Sequence, residues 1–175
     1  PGAWSVYGDE KFDYVIVNLN EKLPYSSFQE SEPSKIIVDV YGAVSNSNWI
    51  TKLNSAKGIK NVSYVQQGKN VFRIIIELVN KQNWGYAIDY RGNNLRIKIK
   101  RQPEDLRIDK LTFMLDAGHG GNNNGALGST GLTEKEVNLS TVYYLKEILE
   151  NKGAAVILTR DADTVVFNSI RIRQI

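Results

Sequence analysis

The sequence contains one histidine, His119, within the segment Leu115-Asp-Ala-Gly-His-Gly-Gly121. Fifteen positions later Glu134 opens a stretch that reads as a helix. An imidazole nitrogen and a carboxylate oxygen are two of the donor types that hold Zn²⁺, each at about 2.0–2.2 Å. Each residue also has a plainer reading. A lone loop histidine commonly serves as a surface or hydrogen-bonding group, and a glutamate at a helix N-terminus is explained by the helix dipole alone. Gly118, Gly120 and Gly121 flank the histidine; they allow a tight turn and leave room for a ligand. Asp116 has two candidate roles: orienting His119 as an outer acceptor, or capping the loop through an Asx-turn.

The elements that must position these residues are legible around them. Leu111–Asp116 (LTFMLD) reads as a buried strand, and 117–132 as a loop with six glycines and three asparagines. Thr133-Glu-Lys-Glu136 is a capping box, with Thr133 as N-cap and Glu136 reaching back. Val142, Leu145, Ile148 and Leu149 form an apolar stripe at helical spacing, and Gly153 stands in the usual position just past a helix end. Ala155–Thr159 (AVILT) is a second apolar strand. A strand, helix and strand in this order predict a parallel, right-handed pairing. His119 then lies just beyond the C-terminal end of a strand, where open α/β sheets carry their sites. A further helix is expected over Asn168–Ile175. So few elements cannot cover both faces of a parallel sheet, so residues 111–175 are expected to be part of a larger α/β domain.

The first hundred residues read differently. Asp13–Leu19, Lys35–Tyr41, Val71–Val79 and Leu95–Lys100 are short, β-branched and bounded by turn residues. Phe72, Ile74, Ile76 and Leu78 share one face of their strand, as do Leu95, Ile97 and Ile99 of theirs. Arg91-Gly-Asn-Asn94 predicts a hairpin between Tyr86–Tyr90 and the last strand. An all-β, sandwich-like domain over 1–100 is expected, followed by a polar linker, 101–110.

Composition narrows the classes of function. There is no cysteine, which excludes disulfides and Cys-based zinc sites. No apolar run approaches the ~20 residues of a bilayer span. Residues 1–103 carry a net +5 and residues 104–175 a net −2. The basic half suits an anionic polymer such as the cell wall, and equally an ordinary solvated surface. No Lys/Arg cluster is interleaved with aromatics, so no nucleic-acid partner is expected. The chain opens Pro1-Gly-Ala-Trp, without a basic-then-apolar signal region; a mature or trimmed form is expected.

Taken together, LDAGHGG, GALG, GLTEKEVNL and GAAVILTRDAD resemble the start of the amidase_3 domain of zinc-dependent N-acetylmuramoyl-L-alanine amidases. The resemblance runs from Leu111 to Ile175 and includes Arg160, Asp163 and Arg171, read here as loop-fixing and ion-pairing residues. It places the family's first zinc ligand on His119 and its second on Glu134. Ala117 stands where proline is common, and Asn122–Asn124 where an aspartate is common. Tyr14–Leu19, Lys35–Gly42 and Val71–Leu78 resemble, more loosely, the AMIN module that precedes such domains in exported amidases. That module is a β-sandwich implicated in wall binding and localisation.

The resemblance implies hydrolysis of the amide between N-acetylmuramic acid and L-alanine in peptidoglycan, with zinc as cofactor. It also implies an exported, periplasmic or wall-associated address, with room for a regulatory activator protein as partner. The family's ligand set is His, Glu, His, with a catalytic Glu near the domain's end. One histidine cannot supply that set, and the general-base Glu is expected beyond Ile175. Glu136 is accounted for by the capping box. Glu147 and Glu150 lie roughly 20 Å along the helix at 1.5 Å per residue. Residues 1–175 are therefore expected to bind zinc weakly or not at all and not to turn over alone. A non-catalytic wall-binding protein and a different zinc hydrolase are the alternative readings.

Overall fold

Period-two alternation builds most strands in the first hundred residues, because a strand sends successive side chains to opposite faces. The computed structural model describes residues 3–44 and 49–165. The chain divides into two units, Pro1–Gln102 and Pro103–Ile175.

The first unit holds nine strands among the described residues. One sheet has the order β5-β1-β2-β9-β8, with β1 Trp4–Gly8, β2 Phe12–Asn18, β5 Ile50–Lys52, β8 Tyr86–Arg91 and β9 Asn94–Lys100. The other has the order β3-β4-β7-β6, with β3 Tyr25–Ser31, β4 Ser34–Tyr41, β6 Ile59–Gln67 and β7 Val71–Leu78. All pairings are antiparallel except β1 with β5. Both sheets feed one core. Val6, Val15, Val17, Leu95 and Ile97 come from the first sheet, and Ile36, Val38, Val40, Phe72, Ile74 and Ile76 from the second; all are fully buried. The indole of Trp4 packs at 5.6 Å from the rings of both Tyr64 and Phe72, tilted on the first and edge-on to the second, the edge-on arrangement being one that aromatic quadrupoles favour. The expected hairpin forms: Arg91 pairs with Asn94, and Gly92 takes φ +59° at the turn.

β3 is not among the strands expected from sequence, and its seven residues are all exposed. With neither face buried, YSSFQES carries no hydrophobic period. Arg101, placed by sequence at the start of the linker, is bound into the first unit: its backbone N–H donates to Lys11 O at 2.9 Å.

In the second unit a single 3-10 turn, Ile108–Lys110, leads into β10, Thr112–Leu115. Helix α1, Glu134–Asn151, and β11, Ala155–Leu158, follow. β10 and β11 pair in parallel, Thr112 opposite Ala155 through Leu115 opposite Leu158. The capping box is present: the Thr133 backbone N–H donates to Glu136 Oε2 at 3.0 Å and its hydroxyl donates to the same oxygen at 2.6 Å. Gly153, at φ +85°, closes the helix, donating to Glu150 O at 2.8 Å.

The apolar stripe of α1 is used only in part. Val142 is buried, whereas Leu145 is 40% and Ile148 54% exposed. Two strands about 5 Å apart offer a floor wide enough for one line of helix side chains. The helix expected over Asn168–Ile175, and Arg171 with it, lie outside the described residues. Thr133→Ala should cost the start of α1 about 1 kcal/mol. Amide hydrogen exchange would register this as roughly fivefold faster exchange in its first turn.

Candidate metal centre

The end of β10 runs directly into the loop that carries His119. The backbone there has positive φ at four successive residues: Gly118 (+58°), His119 (+32°), Gly120 (+127°) and Gly121 (+56°). His119 is the one described non-glycine residue in this region. A side chain held there costs on the order of 1–3 kcal/mol, and such strain persists only where the surroundings over-determine it.

Those surroundings can be named. Asp116 Oδ1 accepts the Gly118 N–H at 3.1 Å and the Thr159 hydroxyl at 2.8 Å. Of the two roles open to Asp116, the Asx-turn is therefore present, and it ties β10 to the end of β11. Arg160 is 4% exposed. Its guanidinium donates to Gly118 O, Ala162 O and Lys135 O at 3.0, 3.0 and 2.8 Å, joining the loop, the segment after β11 and the first turn of α1. Asp163 accepts the Gly121 N–H at 2.8 Å and Lys135 Nζ at 2.7 Å, while Lys135 also donates to Gly121 O at 2.8 Å. The Lys135 ammonium, followed by the Gly121 N–H, holds the Asp163 carboxyl below the usual carboxylate range. Arg160 and Asp163 thus fix the loop, as their sequence context suggests. Lys135 does so too, though its place beside Glu134 gives no separate signal of it. Gly120 leaves no room for a side chain: a Cβ there would stand 2.2 Å from Thr164 O.

Held in this way, His119 meets Glu134. Nε2 of the ring lies 3.3 Å from Glu134 Oε1, with the two side chains 32% and 41% exposed. The other carboxylate oxygen, Oε2, accepts the Ala126 N–H at 2.8 Å. That backbone donor holds the Glu134 carboxyl below its ordinary range. Gly125 borders both residues: a Cβ there would stand 2.6 Å from Glu134 Oε2 and 2.9 Å from His119 Cδ2. On its far side the ring places Nδ1 3.1 Å from Asn123 Oδ1. Asn123 is a residue that sequence reading does not single out within its run of three asparagines.

This geometry fits a shared cation. Two ligand atoms on one tetrahedral zinc, each about 2.0–2.2 Å from it, stand roughly 3.3–3.6 Å apart. The observed separation is 3.3 Å. It is longer than a charge-assisted hydrogen bond, which would be about 2.7–2.9 Å. Among the described residues no third His, Cys, Asp or Glu joins the pair.

Comparison with known proteins agrees in two places along the chain. The profile of the AMIN domain matches residues 5–104, and that of the Amidase_3 family, N-acetylmuramoyl-L-alanine amidase, matches residues 113–175. A probable cell wall amidase LytH of Staphylococcus saprophyticus is 34% identical over 58% of this chain and 38% of its own length. The germination-specific N-acetylmuramoyl-L-alanine amidase of Bacillus subtilis is 40% identical over 36% of this chain and 26% of its own. The N-acetylmuramoyl-L-alanine amidase AmiC of Escherichia coli O6:H1 is 24% identical over 97% of this chain and 51% of its own. The chain thus spans about a quarter to a half of the length of these relatives.

Proposed function

We propose that this chain, which belongs to the AMIN domain family through residues 5–104 and continues into an Amidase_3 segment, serves a zinc-dependent peptidoglycan amidase. The bond cut is the amide between N-acetylmuramic acid and the L-alanine of the stem peptide. The observation that carries this reading is the 3.3 Å approach of His119 Nε2 to Glu134 Oε1 on a strained, over-determined loop. Supporting it are relatives whose names state that activity.

His119 and Glu134 would hold the zinc as two of its protein ligands. When bound, zinc polarises a carbonyl and lowers the pKa of its water towards about 7. The chain's own part is positional. Glu134, anionic and anchored by Ala126, supplies negative charge at the first residue of α1. His119 is presented by a backbone that Asp116, Arg160 and Asp163 hold in place. Partial exposure of both side chains leaves the pair open to a polymer substrate. Catalytic zinc sites use three protein ligands, and the sequence has one histidine. The 175 residues alone would therefore bind zinc weakly or not at all and would not turn over.

Residues 111–175 would form part of a larger parallel-sheet α/β domain, and the β-unit would seat the enzyme on the wall. An activator protein is a further proposed partner. No helix among the described residues is long and apolar enough to cross a membrane; the proposed address is the wall or periplasm. The test is digestion of purified sacculi by the complete gene product with zinc. Mass spectrometry should find stem peptides with free N-terminal L-alanine and glycans with intact lactyl groups. Products cut instead within the glycan or between peptides would overturn the assignment.

A further inference from the structure

We propose that Asn123 is a positioning residue that fixes which nitrogen of His119 binds the metal. The inference rests on the zinc reading above and extends it to a residue outside the ligand pair.

Asn123 Oδ1 lies 3.2 Å from the Gly125 backbone N and 3.1 Å from His119 Nδ1. Asparagine oxygen and nitrogen are assigned from their partners. A backbone N–H can only donate, so the side-chain atom facing Gly125 is the acceptor oxygen. The same oxygen faces Nδ1, so Nδ1 must carry a proton. In a neutral imidazole the other nitrogen then holds the lone pair. That nitrogen, Nε2, is the one directed at Glu134 Oε1. Two lone pairs facing each other are unfavourable unless a cation lies between them. The asparagine therefore prepares the ring for a metal and disfavours the flipped ring.

The backbone of Asn123 supports this role. Its N–H donates to Gly120 O at 3.1 Å, and its carbonyl accepts the Gly120 N–H at 2.9 Å. This two-bond bridge closes the turn immediately after His119 and sets the distance from amide to ring. An outer partner of a metal-bound histidine typically changes metal affinity by on the order of 10–100-fold.

The lone histidine makes the test clean, since ¹⁵N-histidine labelling gives one ring to follow. The first arm is metal-free, in the E134A chain, where no carboxylate competes for the Nε2 proton. Spectra are taken well above the usual histidine pKa of about 6.5. Asn123 should keep the proton on Nδ1, and adding N123L should move it to Nε2. An unchanged tautomer would overturn the proposal. The second arm is zinc competition titration of the 175-residue chain. N123L should weaken binding by about 10–100-fold, and N123D, which keeps the acceptor, should retain it. Equal affinity of N123L and the parent chain would count against the positioning role. A parent chain that takes up no zinc would refute the metal reading alone, and the metal-free arm would still decide the role of Asn123.

Discussion

Replacing His119 by alanine is expected to remove zinc from the complete gene product and to reduce sacculus hydrolysis to background. The effect should exceed the roughly 100-fold ceiling of an outer-shell substitution, because the proposed centre would lose one of its direct ligands. Glu134→Gln should approach it by a different route. Glutamine still presents an oxygen to the Ala126 N–H, now held at 2.8 Å, so the start of α1 and the loop keep their shape. What is lost is the negative charge opposite Nε2. Loss of zinc with unchanged helix content would therefore locate the defect in the ligand set. His119→Ala relieves little backbone strain, since alanine at φ +32° is no better tolerated. A gain in stability would not offset the loss. Metal content by atomic absorption, read alongside hydrolysis, separates the outcomes. Retention of stoichiometric zinc and near-parental hydrolysis by His119→Ala would remove the basis for the proposed centre.

How much of this could be read from sequence depends on whether a residue's role is local or distant. Phe72, Ile74 and Ile76 announce a buried face because their period matches the strand that holds them. Thr133 and Glu136 announce a helix start because their bonds close within four residues. His119 and Glu134 are legible as a pair through the family motif. Their 3.3 Å approach depends on Arg160 and Asp163, which arrive from beyond β11. Asn123 shares its composition signal with two neighbouring asparagines, and only the turn closed onto Gly120 selects it. β3 escapes notice because both its faces meet solvent. Leu145 and Ile148 show the opposite failure: their spacing is that of a buried stripe, but among the described residues no strand lies beneath them.

Asp13 is the largest departure from pattern in the first unit, and it yields the second strong expectation. It lies on the same face of β2 as Val15 and Val17 and is fully buried. Sequence alternation gives no warning of a carboxylate on a core-facing row. Its Oδ2 accepts the Gly58 N–H at 2.6 Å, and its Oδ1 accepts Arg101 Nε at 2.7 Å, from a residue 88 positions away. Arg101 also donates to Ser55 O. Gly8 and Gly58 leave the space: a Cβ on either would stand 2.3 Å and 2.7 Å, respectively, from an Asp13 carboxylate oxygen. Arg101→Ala would strand a buried charge, which typically costs about 3–5 kcal/mol. Asp13→Asn should cost less, on the order of 1–3 kcal/mol. The amide can still accept from Gly58, and Arg101, 15% exposed, can turn towards water. The two changes should be strongly non-additive, because either one removes the same pair. Urea unfolding followed by tryptophan fluorescence isolates this effect, as Trp4, Trp49 and Trp84 all lie in the first unit. If Arg101→Ala shifts that transition by less than about 1 kcal/mol, the pair behaves as an exposed ion pair. Its burial would then contribute nothing to holding β2 against the 53–58 segment.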